Sequence, residues 1–183
     1  TVSKKSPLGL KGHEHREFEV GGDSGPVISP TRYGFRTLDR QWIIPDNRLI
    51  NRPNPALWEG YSAGQVFLTA LERASPSSGP SITFTALIPD HDHYKGSFNG
   101  RVHPLWRDTA AKQPNIPPRL LGLIADVIGP ISAEDVMAYL AGVMAHPAFT
   151  ARFQPDLKQP GLRVPLTADP ALFAGAVSLG REV

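Results

Sequence analysis

Proline and glycine are the residues that most constrain the folds open to this chain. It has 183 residues, of which 19 are proline and 17 are glycine. Proline interrupts helices and strands, and glycine favours turns. The sequence therefore predicts short, capped elements joined by many turns rather than long helices. Its length is enough for one domain with a core of its own.

The composition is otherwise that of an ordinary globular chain without cysteine chemistry. Hydrophobic residues make up 40% and charged residues 20% of the sequence, values typical of folded domains. The lack of cysteine excludes disulfides and thiolate chemistry and fits a cytoplasmic location. No apolar stretch approaches the roughly 20 residues of a membrane-spanning helix, and no secretory signal opens the chain. It begins with Thr1, so we expect a processed chain or a piece of a longer one.

Positive charge is concentrated in the first two-thirds of the chain. The net charge is only +2. However, residues 32–107 carry nine basic and six acidic side chains, whereas residues 120–183 carry four basic and six acidic ones. A polyanion would therefore be held most easily by the first part.

The first two-thirds of the chain show the pattern of a linker followed by short strands. Residues 1–31 mix charge with Gly, Ser and Pro, so they are predicted to be a linker or N-terminal extension ending in a short strand near Val27–Ile28. A short helix is predicted from Pro55 to about Ala63, and a polar loop over 91–100. Aromatic and β-branched runs between turn residues indicate strands. The predicted strands are Tyr33–Leu38, Gln41–Ile44, Gln65–Leu71, Ser81–Ile88 and Arg101–Trp106, the third and fourth being antiparallel neighbours.

The last third has helical periodicity. The proline pair at 117–118 opens a helix whose apolar residues recur until Gly129. Ser132 can cap a second helix with its side chain, and that helix should stop at His146, before a proline. Asp169 opens a last helix. The predicted fold class is therefore α+β, with a mainly antiparallel sheet in the first two-thirds followed by a helical C-terminal part.

Motifs of nucleotide-dependent and serine-hydrolase catalysis are missing from the sequence. There is no G-x-G-x-x-G turn, no phosphate-binding G-x-x-x-x-G-K-[ST] loop and no G-x-S-x-G elbow. A magnesium nuclease motif would need an acid two residues before Lys95, where the chain has His93. The chain is therefore not predicted to catalyse any of these reactions by itself.

One cluster, Asp90-His91-Asp92-His93, has metal-ligand character. Alternate residues of an extended chain point to the same side, and imidazole with carboxylate suits zinc, manganese or iron. Catalytic sites usually take three protein ligands, and His103 is a conceivable third. The other interpretation is a polar loop at a strand end. A metal-dependent hydrolase is therefore kept as an alternative function.

An ordered set of segments carries a family resemblance. It begins with the run from Tyr33 to Arg48, YGFRTLDRQWIIPDNR. This run resembles the Y-x-P/S-F-D-x-R-W segment at the junction between the catalytic and target-recognition parts of adenine-specific DNA methyltransferases. Further matching segments are Asn51–Pro53, His93–Phe98, Pro104–Arg107, Pro114–Ile116, Asp135–Thr150 and Arg163–Thr167. Together they make residues 32–183 similar to the C-terminal specificity domain of type ISP restriction-modification enzymes.

The resemblance implies sequence-specific recognition of double-stranded DNA by a non-catalytic fragment of a bacterial enzyme. Type ISP enzymes join a nuclease, a helicase-like ATPase, an adenine-specific DNA methyltransferase and a target-recognition domain in one chain. The methyltransferase domain would be the protein partner, packed against the helical half. S-adenosylmethionine, ATP and Mg would bind elsewhere in the parent, which methylates adenine and cleaves unmodified DNA. We expect no cofactor in this fragment.

Two loops carry side chains suited to neutralising phosphates and reading base edges. The predicted DNA-binding residues are Asn47, Arg48, Asn51 and Arg52 in the first loop and His93, Lys95, Ser97, Asn99 and Arg101 in the second. Glycines 96 and 100 would let the backbone of the second loop approach DNA closely. The alternative for these basic loops is an ordinary surface of a protein-interaction scaffold.

Other residues of the junction motif are assigned structural roles. Arg36, Asp39 and Arg40 are predicted to brace the sheet through internal ion pairs. Leu38 stands where the family pattern favours phenylalanine, and we expect this to change packing only. Three tryptophans in apolar surroundings are predicted to belong to the core: Trp42, Trp58 and Trp106.

Overall fold

A computed structural model describes residues 28–46, 55–71, 82–90, 93–94, 100–159, 161 and 163–183. Within these ranges the strands precede the longer helices, which confirms the predicted α+β class. The strands are β1 (Thr31–Arg36), β2 (Asp39–Ile43), β3 (Phe67–Leu71), β4 (Ile82–Thr85) and β5 (Gly100–Pro104). The helices are α1 (Pro55–Glu59), α2 (Pro118–Ile128), α3 (Ala133–Ala145), α4 (Pro147–Leu157) and α5 (Pro170–Glu182).

Strands β1 and β2 form an antiparallel hairpin that pairs Thr31 with Ile43 and is bulged near its turn. Leu38 lies in the turn with φ of 68°, a left-handed conformation that a branched residue adopts at some cost. Its side chain is 98% exposed. The expected packing change at this position is therefore wrong, because the turn directs the side chain into solvent.

The other three strands form an antiparallel sheet in the order β4-β3-β5. This confirms the predicted pairing of the third and fourth strands. All five residues of β3 are buried, as expected of a central strand that is covered on both faces. Phe67, with no exposed surface, stacks on Tyr61 with ring centroids 6.3 Å apart.

The helices cover one face of this sheet. Leu68 and Ala70 of β3 form a buried cluster with Met144 of α3 and Phe149 of α4. A second cluster lies between the helices and includes Ile124, Val136, Tyr139 and Phe173. Burial of apolar area is the main stabilising term in such cores, so the sheet and the helices are held together chiefly through α3.

Helix α4 was not predicted, because the sequence analysis ended the preceding helix at His146 and expected no helix directly after it. The Nδ1 atom of His146 accepts a hydrogen bond from the backbone amide of Ala148, at 3.1 Å, and Pro147 occupies the first helical position. Proline is well tolerated there because its missing N–H would have no partner in the helix. The His-Pro pair thus ends α3 and also starts α4.

Helix α3 begins with the predicted cap. The amide of Asp135 donates to Ser132 Oγ at 3.1 Å, and the amide of Ser132 donates to Asp135 Oδ2 at 2.9 Å. Arg181 Nη2 approaches Asp135 Oδ1 at 2.7 Å. Burial would raise the pKa of Asp135, but the hydrogen bonds from Ser132 and Arg181 outweigh it and lower the pKa. The Asp135 carboxylate therefore links the start of α3 to the end of α5.

Helices α3 and α5 approach each other through glycines. A Cβ atom on Gly142 would overlap the carbonyl oxygen of Ala176, and one on Gly180 would overlap that of Ala138. The rings of Tyr139 and Phe173 stack beside this contact with centroids 4.6 Å apart. The backbones can come this close only because both positions lack a side chain.

The tryptophans are distributed differently from the prediction that all three belong to the core. Trp106 is buried at 8% exposure and Trp58 is half-buried, but Trp42 is 64% exposed. Helix α2 also leaves apolar residues in solvent, namely Leu120, Leu123 and Val127. In the described ranges we find no helix long and apolar enough to span a lipid bilayer.

Candidate nucleic-acid interface

The β1–β2 hairpin is the element to which both predicted recognition loops are attached. The first loop leaves β2 through Pro45 and Asp46, both fully buried, and returns at α1. Trp58 of α1 stacks on Tyr33 of β1 with ring centroids 6.2 Å apart. The start and the end of the first loop are therefore fixed to the same hairpin.

The second loop is fixed to the outer edge of β1. Gly34 donates to the carbonyl of Ile88 at 3.0 Å, and its own carbonyl accepts from the amide of Asp90 at 2.9 Å. The hydroxyl of Tyr33 donates to Asp90 Oδ2 at 2.5 Å. Pro89 completes a parallel bridge with Gly34. The segment before the second loop thus lies beside β1 as a third extended segment of the hairpin.

His93 lies in the interior at 5% exposure. Its Nδ1 lies 3.2 Å from the carbonyl oxygen of Gly34 and its Nε2 lies 3.1 Å from Thr83 Oγ1. Since a carbonyl oxygen can only accept, Nδ1 carries the proton and Nε2 accepts from Thr83 in the neutral ring. Burial lowers the pKa of His93, which keeps this neutral form. His93 was predicted to contact DNA, but this placement favours a bracing role instead.

Tyr94 holds the end of the same segment against the sheet. Its hydroxyl donates to the carbonyl of Thr69 at 2.8 Å, and Arg36 Nη1 donates to its carbonyl at 3.2 Å. Burial raises the pKa of Tyr94. A Cβ on Gly100 would lie 3.1 Å from the Tyr94 ring, so Gly100 makes room for this ring rather than for DNA.

The predicted internal ion pairs of the junction motif are not found within the described ranges. Arg36 is held by the Tyr94 carbonyl, and Asp39 Oδ2 accepts from Gln41 Nε2 at 3.0 Å. Arg40 is exposed on β2. The motif therefore braces the loop through hydrogen bonds to neutral groups.

Few of the predicted DNA-binding residues can be placed. Arg101 is exposed on β5, where it pairs in register with Ala70 of the buried strand β3. His93 is buried, as described above. The remaining predicted residues lie outside the described ranges: Asn47, Arg48, Asn51, Arg52, Lys95, Ser97 and Asn99.

The sequence analysis missed an exposed basic and aromatic surface on the hairpin. Arg32 and Trp42 face each other across the strand pair, and the Arg32 Cζ atom lies 4.8 Å from the centre of the Trp42 ring. The signal was present in the sequence, since Asp39–Ile43 has no alternating apolar face. The prediction that Trp42 belongs to the core rested on its apolar sequence neighbours, which do not determine what covers the strand.

The proposed metal site gains no support from the geometry of the described part of the chain. There, no group of three or more His, Asp or Glu residues lies close enough together to hold a metal ion. Asp90 and His93 are engaged by Tyr33, Gly34 and Thr83. The other two members of the cluster lie outside the described ranges.

The fold and the attached loop ends define a small α+β module in which two basic segments are connected to a hairpin and a sheet. The chain belongs to the family of type ISP C-terminal specificity domains, whose model matches residues 15–183. The matched region begins at residue 15, whereas the predicted recognition domain begins at residue 32.

Comparison with solved structures gives the same fold. The cryo-EM structure of the DrdV–DNA complex contains a chain that matches with a TM-score of 0.51 and 24% sequence identity. The match covers 65% of this chain and only 12% of the DrdV chain. No curated protein matches the sequence.

Proposed function

We propose that this chain recognises double-stranded DNA in a sequence-specific way, as the specificity domain of a larger type ISP restriction-modification enzyme. Its membership of the specificity-domain family supports this, as does the determination of the similar DrdV fold in complex with DNA. The observation that carries the proposal is the attachment of both basic loops to one hairpin, through Trp58 and Tyr33 on one side and through Asp90 and Gly34 on the other.

Each loop combines basic side chains with amide side chains. Arginine can donate two hydrogen bonds to guanine, and asparagine can pair with adenine through two hydrogen bonds. Arg48, Arg52 and Lys95 supply positive charge for phosphates or guanine, while Asn51 and Asn99 supply amides for adenine. Contacts with phosphates provide most of the affinity, and contacts with base edges provide the specificity.

Catalysis belongs to the rest of the parent enzyme in this proposal. The parent methylates adenine and cleaves unmodified DNA, with S-adenosylmethionine, ATP and Mg bound outside this chain. The small share of DrdV that the match covers supports a chain that is one part of a longer enzyme. The domain would hold one face of the site while the methyltransferase removes the target adenine from the base stack.

The exposed apolar face of α2 is the surface that we assign to the methyltransferase domain of the parent. Leu120, Leu123 and Val127 lie at i, i+3 and i+7, so they form one stripe, and each is between 42% and 57% exposed. Replacing Leu123 and Val127 by serine should leave the unfolding temperature of this chain nearly unchanged and lower DNA methylation by the parent enzyme. Unchanged methylation would exclude this surface.

The experiment that tests DNA recognition is a fluorescence-anisotropy titration of a random-sequence duplex at two salt concentrations. Binding should weaken steeply as salt rises, because each phosphate contact releases a counterion. Lys95→Ala should weaken binding, whereas Lys158→Ala, at an exposed position after α4, should not. A chain that binds no duplex at the lower salt would refute the proposal and favour a protein-interaction scaffold.

A further inference from the structure

Three exposed basic and aromatic side chains lie on one face of the β1–β2 hairpin, on which Gly34, the cross-strand partner of Arg40, is covered by Ile88 and Pro89. Side chains alternate across a strand pair. Tyr33 lies on the inner face against Trp58, and its neighbour Arg32 lies on the opposite face with its cross-strand partner Trp42. Arg40, two residues before Trp42, shares that face. We call the exposed surface of Arg32, Arg40 and Trp42 the hairpin face.

The two arginines of the hairpin face have no carboxylate partner among the described residues. Arg32 donates from Nη1 to the carbonyl oxygen of Arg40 at 3.4 Å and lies over the Trp42 ring. The acidic residue of β2, Asp39, is adjacent to Arg40 in sequence and so points to the other face, where it accepts from Gln41. Both positive charges are therefore available to an anionic ligand.

We propose that the hairpin face binds the phosphate backbone of DNA, as a contact separate from the two recognition loops. This inference rests on the proposed function, because it assigns a further surface to the same DNA. The hairpin holds both ends of the first loop and the segment that leads into the second, so DNA bound by the loops would pass close to this element. The face would add affinity for any sequence and would leave the choice of sequence to the loops.

The spacing of the charges fits a nucleic-acid backbone. Diagonal neighbours on one face of an antiparallel pair lie about 7–8 Å apart, which is the relation between Arg32 and Arg40. Phosphates along one DNA strand occur about every 3.4 Å of helix axis. The strand positions that carry the two arginines are therefore separated by about two phosphate intervals along the helix axis. A protein-binding surface would be expected to bury apolar groups at its centre, whereas the centre of this face is covered by a guanidinium.

Trp42 acts on DNA through Arg32 and is a positioning residue in this proposal. A guanidinium over an indole ring is attracted to the negative face of the ring by a cation–π interaction. The ring thereby restricts a long side chain that would otherwise lose its rotamer freedom on binding. Trp42 neutralises no phosphate itself, so its loss should lower affinity without changing the number of counterions released.

The test compares matched variants of the 183-residue chain by anisotropy titration over a series of salt concentrations, with circular dichroism as the check on folding. Arg32→Ala/Arg40→Ala should weaken binding to every duplex to a similar extent, on the order of tenfold per arginine, and lower the slope of log affinity against log salt by about 2. The charge-matched control Arg119→Ala/Arg152→Ala, at exposed helical positions, should change neither quantity.

A second pair of variants tests the role of the tryptophan. Trp42→Ala should weaken binding at an unchanged salt slope, and Trp42→Phe, which keeps an aromatic face for Arg32, should restore most of the affinity. Folding should survive both changes because Trp42 is largely exposed. If the wild-type chain binds no DNA, the proposed function fails together with this inference. If the wild type binds and the arginine double variant binds equally well, the inference alone is overturned and the face is free for a protein partner.

Discussion

Replacing Gly142 by alanine tests the close approach of α3 and α5. A Cβ atom at this position would overlap the carbonyl oxygen of Ala176 and lie 3.1 Å from the amide nitrogen of Gly180. Both obstacles are backbone atoms of a helix, so neither can rotate away as a side chain could. The α5 helix would have to move away from α3, and the stacked rings of Tyr139 and Phe173 would move with it.

The magnitude follows from two opposing terms. Alanine is more favourable than glycine in a helix interior by about 0.8–1 kcal/mol. Forcing extra volume into a packed contact costs about 1–3 kcal/mol, and more where backbone must shift. For Gly142 the second term wins because its obstacle is a carbonyl group in the middle of α5. We expect a net loss of about 2 kcal/mol in the free energy of unfolding.

Gly175 of α5 is the matched control, because nothing lies within 4 Å of its missing side chain. Gly175→Ala retains only the helix-propensity gain and should stabilise the chain by up to about 1 kcal/mol. In thermal unfolding followed by circular dichroism, 1 kcal/mol corresponds to about 2–4 °C for a chain of this size. Gly142→Ala should therefore lower Tm by about 4–8 °C, while Gly175→Ala should raise it by about 2–4 °C.

The opposite signs make the argument refutable. If both variants raise Tm by similar amounts, α3 and α5 do not touch through their backbones and the packing derived for this half of the domain is wrong. Gly180→Ala should cost less than Gly142→Ala, although its Cβ overlaps the carbonyl of Ala138. Gly180 lies in the last turn of α5, and a helix end can fray to relieve the contact.

Three further predictions concern the core, the α3 cap and His93. Ile124→Ala should lower the free energy of unfolding by about 2–4 kcal/mol because the side chain is 8% exposed. Leu123→Ala, at 55% exposure, should lower it by well under 1 kcal/mol. Equal losses of the two variants in denaturant unfolding would contradict the different burial of these two residues of α2. Ser132→Ala should cost about 1 kcal/mol through loss of the cap, and a neutral result would count against the hydrogen bonds described for it. Burial lowers the pKa of His93 below 6.5, so the unfolded state takes up its proton first as pH falls. The His93 contribution to stability is therefore complete above about pH 6.5 and declines below it. His93→Gln should flatten the fall of Tm between pH 7 and pH 5, and an identical slope in variant and wild type would show that the ring is not buried in its neutral form.

Local sequence signals were enough for the elements whose ends carry distinct capping or turn chemistry. Ser132 and Asp169 start α3 and α5 as predicted, because each side chain accepts from an amide of the first turn. The His146–Pro147 pair was interpreted as a stop alone, and α4 was missed. A proline ends the helix before it and can begin the helix after it, and only the apolar contacts of Phe149 with the sheet decide which applies.

In the candidate site, the sequence did not reveal which side chains are exposed and which are buried. Trp42 was predicted to belong to the core, but its side chain on the hairpin is 64% exposed. His93 was assigned to DNA although its ring closes the space between Gly34 and Thr83. The exposure of Trp42 and the burial of His93 both depend on long-range packing, because which elements lie against a side chain is information that local periodicity does not carry.

The anchoring of the second loop has a consequence for how such a domain can change its target. Tyr94 and Gly100 flank residues 95–99 and touch each other, and Tyr94 is also held by Thr69 and Arg36. Exchanging or lengthening residues 95–99 is therefore expected to leave the contacts of Tyr94 and Gly100 intact. Doubling the length of a flexible connection costs only about 0.6 kcal/mol of closure entropy. If the second loop reads DNA as proposed, new sequence between Tyr94 and Gly100 should change the target while the contacts of Tyr94 with Thr69 and Arg36 are kept.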